Sequence, residues 1–393
     1  MREPKIYSMN GGYGFRMDVG INPKTGKRDR KRFGPYPTKT LARQEMKKIF
    51  IQVKQGEFVG TENMRVKEFL EKWLEHKRVN VSAGTYAHYK PFVMNHWIPN
   101  LGMAKLNDVK PSDIQEIYDE SVENEVVSVR SIGHMHRILN NAYNTAIKWE
   151  LATRNPCTAI KPPKPEKYEM TTWDEFEVQH FLEFTKDDIY YIGYLLALST
   201  GMRKGEILGV RWQDIDFNNQ MLSVRQAVTR KKGGGFTIGE LKNDNSDRTI
   251  SLFDHVIEEL KDHRKKQMEY KMKHRDKYKD NDLVLAASNG SFILPRNFDR
   301  QWKPLMKKSG LKQIRFHDFR HTHATLMLKQ GVHPKIVQER LGHSSISVTM
   351  DLYSHVLPNI QKAAAEEFGS KIFGSKKEEK RAVSNSNVPI SDQ

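Results

Sequence analysis

His317-Asp-Phe-Arg320-His-Thr-His, followed by Leu341-Gly-His343 and Asp351-Leu-Tyr353-Ser-His, gathers imidazoles, a guanidinium and a phenol into one short C-terminal span. On a helix, positions i and i+3 share a face, so His317 and Arg320 can converge on one ligand. Alone, His-x-x-Arg is a weak motif that structural and surface positions also carry. His321 and His323 form a His-x-His pair that zinc could use, yet no third ligand at suitable spacing stands out, so no metal is expected. Upstream, Thr200-Gly-Met-Arg203-Lys-Gly-Glu206 and Leu241-Lys242 add a second guanidinium and an ammonium. Moving a phosphodiester needs a nucleophile, charge stabilisation on the non-bridging oxygens and a proton for the leaving oxygen. These residue types meet that need.

The bulk properties agree with a polyanionic partner. The 393-residue chain has a net charge of +17 and a pI near 9.6. Nucleic acid is the first candidate and an acidic membrane surface the second. The length allows two or three domains. One cysteine, Cys157, excludes an intrachain disulfide framework and fits a reducing cytoplasm. The opening residues lack the apolar core of a signal peptide. The longest apolar run, Tyr190 to Leu198, is about half the roughly 18 residues a membrane span needs. No membrane association is expected.

Residues 1–60 carry 14 Lys and Arg against 5 Asp and Glu. Tyr13 to Val19 alternates as a strand, Asn22-Pro-Lys-Thr-Gly26 supplies turn chemistry, and Lys27 to Phe33 can return as a second strand. A helix from about Thr40 to Gln55 follows, its apolar stripe formed by Leu41, Met46, Ile49, Phe50 and Val53. On the returning strand Arg28, Arg30 and Arg32 would share one face, suited to a DNA groove. A solvated hairpin edge would carry the same charges.

Residues 61–160 read as four amphipathic helices in a bundle. Val66, Phe69, Leu70, Trp73 and Leu74 mark the first buried face. Ser82 can cap the second helix, which is expected to end near Trp97-Ile98-Pro99. Ser112-Asp-Ile-Gln115 resembles a capping box for the third. The fourth spans about Ser128 to Glu150, with Val129, Ile132, Leu139, Ala142 and Ile147 inward. Lys161-Pro-Pro-Lys-Pro165 makes 161–170 an extended linker. Residues 171–373 form a mixed, mostly helical domain opening with a second capping box at Thr172-Trp-Asp-Glu175. Strands are expected at Met221–Arg230 and Thr249–Leu252, around the Gly233 turn and a polar loop from Asn243 to Asp247. Helices are expected at Asp254–Lys273, Arg296–Lys308, His317–Gln330 and His333–Leu341. Residues 374–393 read as a disordered tail. The fold class is therefore multidomain and mainly α with small β elements.

The ordered set Arg203, Lys242, His317, Arg320, His343 and Tyr353 closely resembles the tyrosine recombinase family, particularly integrases of temperate phages and conjugative transposons. Thr200-Gly-Met-Arg203-Lys-Gly-Glu206 resembles the family's first arginine box, and Leu241-Lys242 with Ser246-Asp-Arg248-Thr-Ile its β-hairpin lysine. His317-Asp-Phe-Arg320 resembles its second box, Leu341-Gly-His343 its second histidine, and Tyr353 its nucleophile. The resemblance implies an arm-type DNA-binding domain with a three-stranded sheet at 1–60, a core-binding, SAM-like bundle at 61–160 and a catalytic domain at 171–373. It implies that Tyr353 forms a 3′-phosphotyrosine and that Arg203 and Arg320 hold the scissile phosphate. Lys242 would protonate the 5′-oxygen, His317 would assist proton transfer, and His343 would hydrogen-bond the phosphate. No cofactor, metal or ATP is implied. The implied partners are double-stranded DNA at core and arm attachment sites, three further copies in a tetramer, and host DNA-bending and excision factors. The setting would be a bacterial cytoplasm, close to the nucleoid. A C-terminal helix near Gln361 to Phe368 could pack on a neighbouring copy or in cis. Two other functions share part of the pattern: a type IB topoisomerase-like relaxing enzyme, and a non-catalytic DNA-binding regulator. Supercoil relaxation without an attachment site would mark the first, while an intact Tyr353 among cationic residues argues against the second.

Overall fold

The computed structural model describes residues 3–21, 28–54, 64–166, 170–241, 247–350, 365–366 and 368–372. Lys242, Tyr353, the turn Asn22–Gly26, most of the polar loop from Asn243, the tail 374–393 and most of the Gln361–Phe368 segment lie outside them. The chain divides into two compact units, Met1–Lys167 and Tyr168–Gln393.

The first unit begins with an antiparallel sheet of three strands in chain order, β1 (Ile6–Met9), β2 (Gly12–Ile21) and β3 (Arg28–Tyr36), backed by helix α1 (Lys39–Lys54). Period-2 alternation sends Phe15, Met17 and Phe33 inward, to pack with Met46 and Ile49 of α1. The opposite face keeps Arg16, Arg30 and Arg32 exposed, with Arg16 directly across from Arg32 and Asp18 across from Arg30. Leu41, expected in the apolar stripe of α1, is 39% exposed, and Ala42 is buried in its place.

Helices α2 (Val66–Asn80), α3 (Ala83–Phe92), α4 (Ile98–Leu101), α5 (Pro111–Glu123) and α6 (Val129–Lys148) follow. Val66, Phe69, Leu70, Trp73 and Leu74 are all buried, as their spacing requires. Ser82 and Ser128 each accept the backbone N–H three residues on, at 3.2 and 3.3 Å, fixing the starts of α3 and α6. The second helical run does not stop at Pro99. A π turn at Val93–Trp97 widens the helix just ahead of Pro99, whose ring and missing N–H do not suit an ordinary α turn, and the helical run continues to Leu101. The same turn aims Trp97 inward, where its indole donates to the Met135 carbonyl at 3.2 Å. Helix α5 is closed by Asp113, which accepts the Lys110 N–H at 2.9 Å, rather than by the expected Ser112–Gln115 pair. On α6, Ala146 is buried and Ile147 is 38% exposed, one position off the expected face.

In the second unit, the reciprocal cap is Asp174 with Glu177, two residues beyond the expected one, at 2.8 and 3.0 Å. It opens α7 (Glu175–Phe184). Helix α8 (Tyr191–Thr200) is buried at all ten positions, which marks it as the centre of the core. A short α9 (Lys204–Ile207) leads into β4 (Ile215–Asp216), β5 (Met221–Val224), β6 (Gln226–Arg230), β7 (Phe236–Glu240) and β8 (Arg248–Ser251). These make two antiparallel sheets, β4-β5-β8 and the hairpin β6-β7. The expected single strand Met221–Arg230 is thus broken at Arg225, and its two halves serve different sheets. Helices α10 (Asp254–Lys273), α11 (Pro295–Ser309), α12 (Asp318–Lys329) and α13 (Pro334–Leu341) complete the unit. Aromatic rings from α7, α8, α11 and α12 (Phe181, Tyr194, Trp302, Phe319) interlock over the core. No helix of the described residues is long and apolar enough to cross a membrane.

Candidate active site

Everything at the site is arranged around the C-terminal end of α8, whose last carbonyls have no partner within the helix. Gly201 ends α8 in the left-handed region, at φ +66°. A Cβ there would stand about 2.4 Å from Leu341 Cδ2 and 2.8 Å from His323 Cδ2. Side chains from α12 and α13 take up the exposed carbonyls. Arg320 Nη1 donates to Gly201 at 2.8 Å, His323 Nδ1 to Leu198 at 2.8 Å, and Arg340 Nη2 to Ser199 at 2.9 Å. Cationic groups suit this position, where the helix dipole is negative.

His323 is therefore structural. Its Nδ1 donates to a carbonyl while Nε2 accepts from Arg340 Nε at 3.2 Å, which fixes one neutral tautomer. Burial, then the nearby Arg340, push its pKa down to about 4. With both ring nitrogens engaged, His321-Thr-His323 is not a zinc motif. No group of three His, Cys, Asp or Glu able to hold a metal occurs among the described residues.

Arg203 lies two residues past Gly201. Its Nη1 donates to Glu206 Oε1 at 2.8 Å, its backbone N–H to Glu206 Oε2 at 2.9 Å, and its Nη2 to the Gly342 carbonyl at 3.1 Å. Glu206 is 3% exposed and also accepts Arg248 Nη2 at 2.8 Å. Burial alone would discourage its charge, but hydrogen bonds and charge from Arg248 and Arg203 hold its carboxyl below the usual range. Arg248 in turn donates through Nε to the Arg340 carbonyl at 2.8 Å.

Arg320 is 4% exposed, and its Nη2 has no hydrogen-bond partner among the described residues. Burial first and the Arg203 charge second pull its pKa down to about 9, still cationic at neutral pH. An anion placed between the two guanidiniums would relieve both.

His317 stands at the residue just before α12, and the turn leading to it is pinned by Asp318, which accepts Arg315 N, Nε and Nη2 at 2.8, 3.1 and 2.7 Å. The His317 imidazole keeps a solvent-open edge but meets His321 edge-on, with centroids 5.2 Å apart. Desolvation, then His321 and Arg320, lower its pKa to about 4. His343 sits one residue past Gly342, with Nδ1 3.0 Å from the buried Thr349 hydroxyl. Burial, followed by Arg320 and Arg203, lowers its pKa to about 3. Both imidazoles are neutral at physiological pH and can donate a neutral hydrogen bond, and the negative charge of a phosphate bound beside Arg203 and Arg320 would raise their affinity for a proton.

Four of the six expected residues, Arg203, His317, Arg320 and His343, thus converge from segments 140 positions apart, while Lys242 and Tyr353 lie outside the described residues. Glu206 and Arg248 were not singled out by sequence reasoning, though both sit within the quoted motifs. A carboxylate three residues after an arginine at a helix start was the available signal.

A cluster of arginines braced by a buried carboxylate at the end of a buried helix has the chemistry of proteins that hold a phosphate. Residues 172–359 match the family described as phage integrase, and residues 66–121 match its N-terminal SAM-like domain. The chain belongs to the phage integrase family. It is 31% identical to a tyrosine recombinase XerC-like protein of Caldanaerobacter subterraneus subsp. tengcongensis, over 95% of this chain and 100% of that one. Among solved structures, the Tn1549 transposon integrase in complex with a circular intermediate DNA superposes with a TM-score of 0.66 at 23% identity, covering 78% of this chain and all of that one. A lambda integrase tetramer bound to a Holliday junction superposes at 0.56 with 18% identity, covering 89% and 95%.

Proposed function

We propose that this chain is a site-specific DNA recombinase of the phage and transposon integrase type, which cuts and rejoins DNA through a 3′-phosphotyrosine at Tyr353. In this reading residues 1–60 bind arm sites, 61–160 the core site, and 171–373 carry out the chemistry. The supporting observation is the convergence of Arg203, Arg320, His317 and His343, with one Arg320 nitrogen buried and unpartnered among the described residues. Such a cluster of donors suits an anion with several oxygens.

Arg203 and Arg320 bind the non-bridging oxygens of the scissile phosphate and steady the charge that grows on them during attack. The Tyr353 oxygen attacks phosphorus, and its proton passes to neutral His317. The P–O5′ bond breaks, and Lys242 protonates the departing 5′-oxygen. His343 donates a hydrogen bond to the phosphate, its ring steadied by Thr349. The new phosphotyrosine bond is close in energy to the broken one, so a 5′-hydroxyl from a partner strand reverses the step. The lambda integrase neighbour was solved as a tetramer on a Holliday junction, and the same assembly on DNA is proposed for this chain. The bacterial cytoplasm, beside the nucleoid, is the proposed setting, with host DNA-bending and excision factors as further partners.

A suicide substrate, nicked so that the cleaved end diffuses away, tests this directly. The wild-type chain should leave a protein–DNA band that survives denaturation, and Tyr353→Phe should bind the same DNA without forming it. An adduct of undiminished yield in Tyr353→Phe would overturn the assignment.

A further inference from the structure

The polar contacts beneath the site close into a ring. Arg203 Nη1 holds Glu206 Oε1 at 2.8 Å, Glu206 Oε2 holds Arg248 Nη2 at 2.8 Å, and Arg248 Nε holds the Arg340 carbonyl at 2.8 Å. Two residues further along the chain, the Gly342 carbonyl accepts Arg203 Nη2 at 3.1 Å and so returns to the start. Three separate segments meet in that ring: the start of α9, the first residue of β8, and the turn leaving α13 toward His343.

We propose that Arg248 is a positioning residue for strand cleavage, fixing the Arg203 guanidinium and the His343 turn relative to each other. It rests on the reading that Arg203 binds the scissile phosphate.

The geometry excludes direct contact with substrate as its main task. Arg248 spends Nε on the Arg340 carbonyl and Nη1 and Nη2 on the two Glu206 oxygens at 3.4 and 2.8 Å, whereas the equally buried Arg320 keeps an Nη2 without a partner among the described residues. A guanidinium is the group that can make this span, because its rigid fork directs separate donors to a carboxylate on one side and a carbonyl on the other. Glu206 accepts from both arginines, so its orientation is set jointly. Without Arg248 the carboxylate is free to rotate with Arg203, and the Arg340 carbonyl loses a buried donor just before the turn. Arg203 then keeps its charge but loses its aim. Arg248 also stands among the charges that lower the pKa of His343, as expected of a cation held close to that turn.

A double-mutant cycle on the full-length chain, read as the first-order rate of covalent complex formation on a suicide core-site substrate, separates this from a merely stabilising role. Arg248→Ala should slow cleavage on the order of 10²-fold, the cost of misplacing a reacting group by about an ångström, with core-site binding unchanged. Arg203→Ala combined with Arg248→Ala should lose clearly less than the product of the two single losses, because most of what the second residue does passes through the first. Multiplying rate losses would overturn the proposal. If Arg248→Ala does not fold, Arg248→Lys carries the cycle: its single ammonium cannot bridge both partners, so it should also cleave slowly, and a wild-type rate would overturn the proposal equally. A substrate with a methylphosphonate at the scissile position distinguishes failure of the underlying reading. Removing one negative oxygen should relieve much of the Arg203→Ala defect. No relief would show that Arg203 is not the phosphate's charge partner, whereas relief together with multiplying losses would refute the coupling alone.

Discussion

The arginines of the N-terminal sheet and those at the end of α8 are chemically the same group held in opposite ways. Arg16, Arg30 and Arg32 stand exposed on one sheet face, around a shallow hollow they share with Met17 and Asp18. Arg32 comes within 6.0 Å of the Tyr7 ring centroid, and among the described residues none of the three is locked by a buried carboxylate. Arg203, Arg248 and Arg320 are braced by Glu206 and by the carbonyls of Gly201, Arg340 and Gly342. Mobile surface cations give sequence-independent, salt-sensitive attraction to a phosphate backbone. Cations fixed by carboxylate and carbonyl partners give orientation at one phosphate. The difference lies in what holds the side chain, and four experiments bear on it.

Arg320→Ala should produce the largest effect, a loss on the order of 10²–10³ in cleavage rate, measured as covalent complex on a suicide substrate. Arg30→Ala on the sheet should leave that rate unchanged. Equal losses in the two variants would erase the contrast. Gly201→Ala should come next. The backbone strain alone is worth about 1–3 kcal/mol, and the crowding against Leu341 and His323 adds to it, so the urea midpoint should fall and cleavage with it. A wild-type midpoint would show that the α8 terminus is not the rigid anchor of the site.

Acidity should divide the two regions as well. The folded pKa values of His323 and His317 are pressed down to about 4 and that of His343 to about 3, while the unfolded value is about 6.5. Above pH 6.5 these rings are neutral in both states and carry no penalty. As pH falls from about 6.5 toward 4, the unfolded chain takes up protons that the folded one refuses, so stability declines across that window. The three rings should contribute comparably down to about pH 4, and His343, pushed furthest, should go on contributing below it. Residues 1–60 contain no histidine, so arm-site binding should lack this dependence. Urea midpoints and arm-DNA titrations between pH 7 and 4.5 would check both. The smallest effect is expected from replacing Arg16, Arg30 and Arg32 together by Ala. The slope of log K against log salt for arm DNA should become shallower by roughly one unit for each phosphate no longer neutralised. An unchanged slope would mean that the sheet face does not meet the DNA.

Local signals in the sequence were reliable where one residue or one period decides the outcome. Helix α10 has the bounds its pattern predicts, Asp254–Lys273, and Ser82 and Ser128 cap the helices they precede. The misses came where neighbours compete. At Asp174 and Lys110 several polar residues could have closed the helix, and tertiary placement chose between them. At Pro99 a π turn removed the reason to stop. The motif words carried the candidate site residues, but not the structure beneath them. Glu206 and Arg248 are 42 positions apart, and nothing in their spacing announces that they share hydrogen bonds. Likewise, the role of His323 as a helix-end donor depends on α12 lying against α8, which periodicity does not convey.

Glu206 has a further bearing on turnover. Without it, Arg203 and Arg320, with the charge of Arg248 behind them, would grip any nucleic-acid strand in its ground state, and such uniform grip slows release without speeding the reaction. A single buried carboxylate tempers the local field, leaving enough attraction to seat a strand and little enough to let the exchanged one depart.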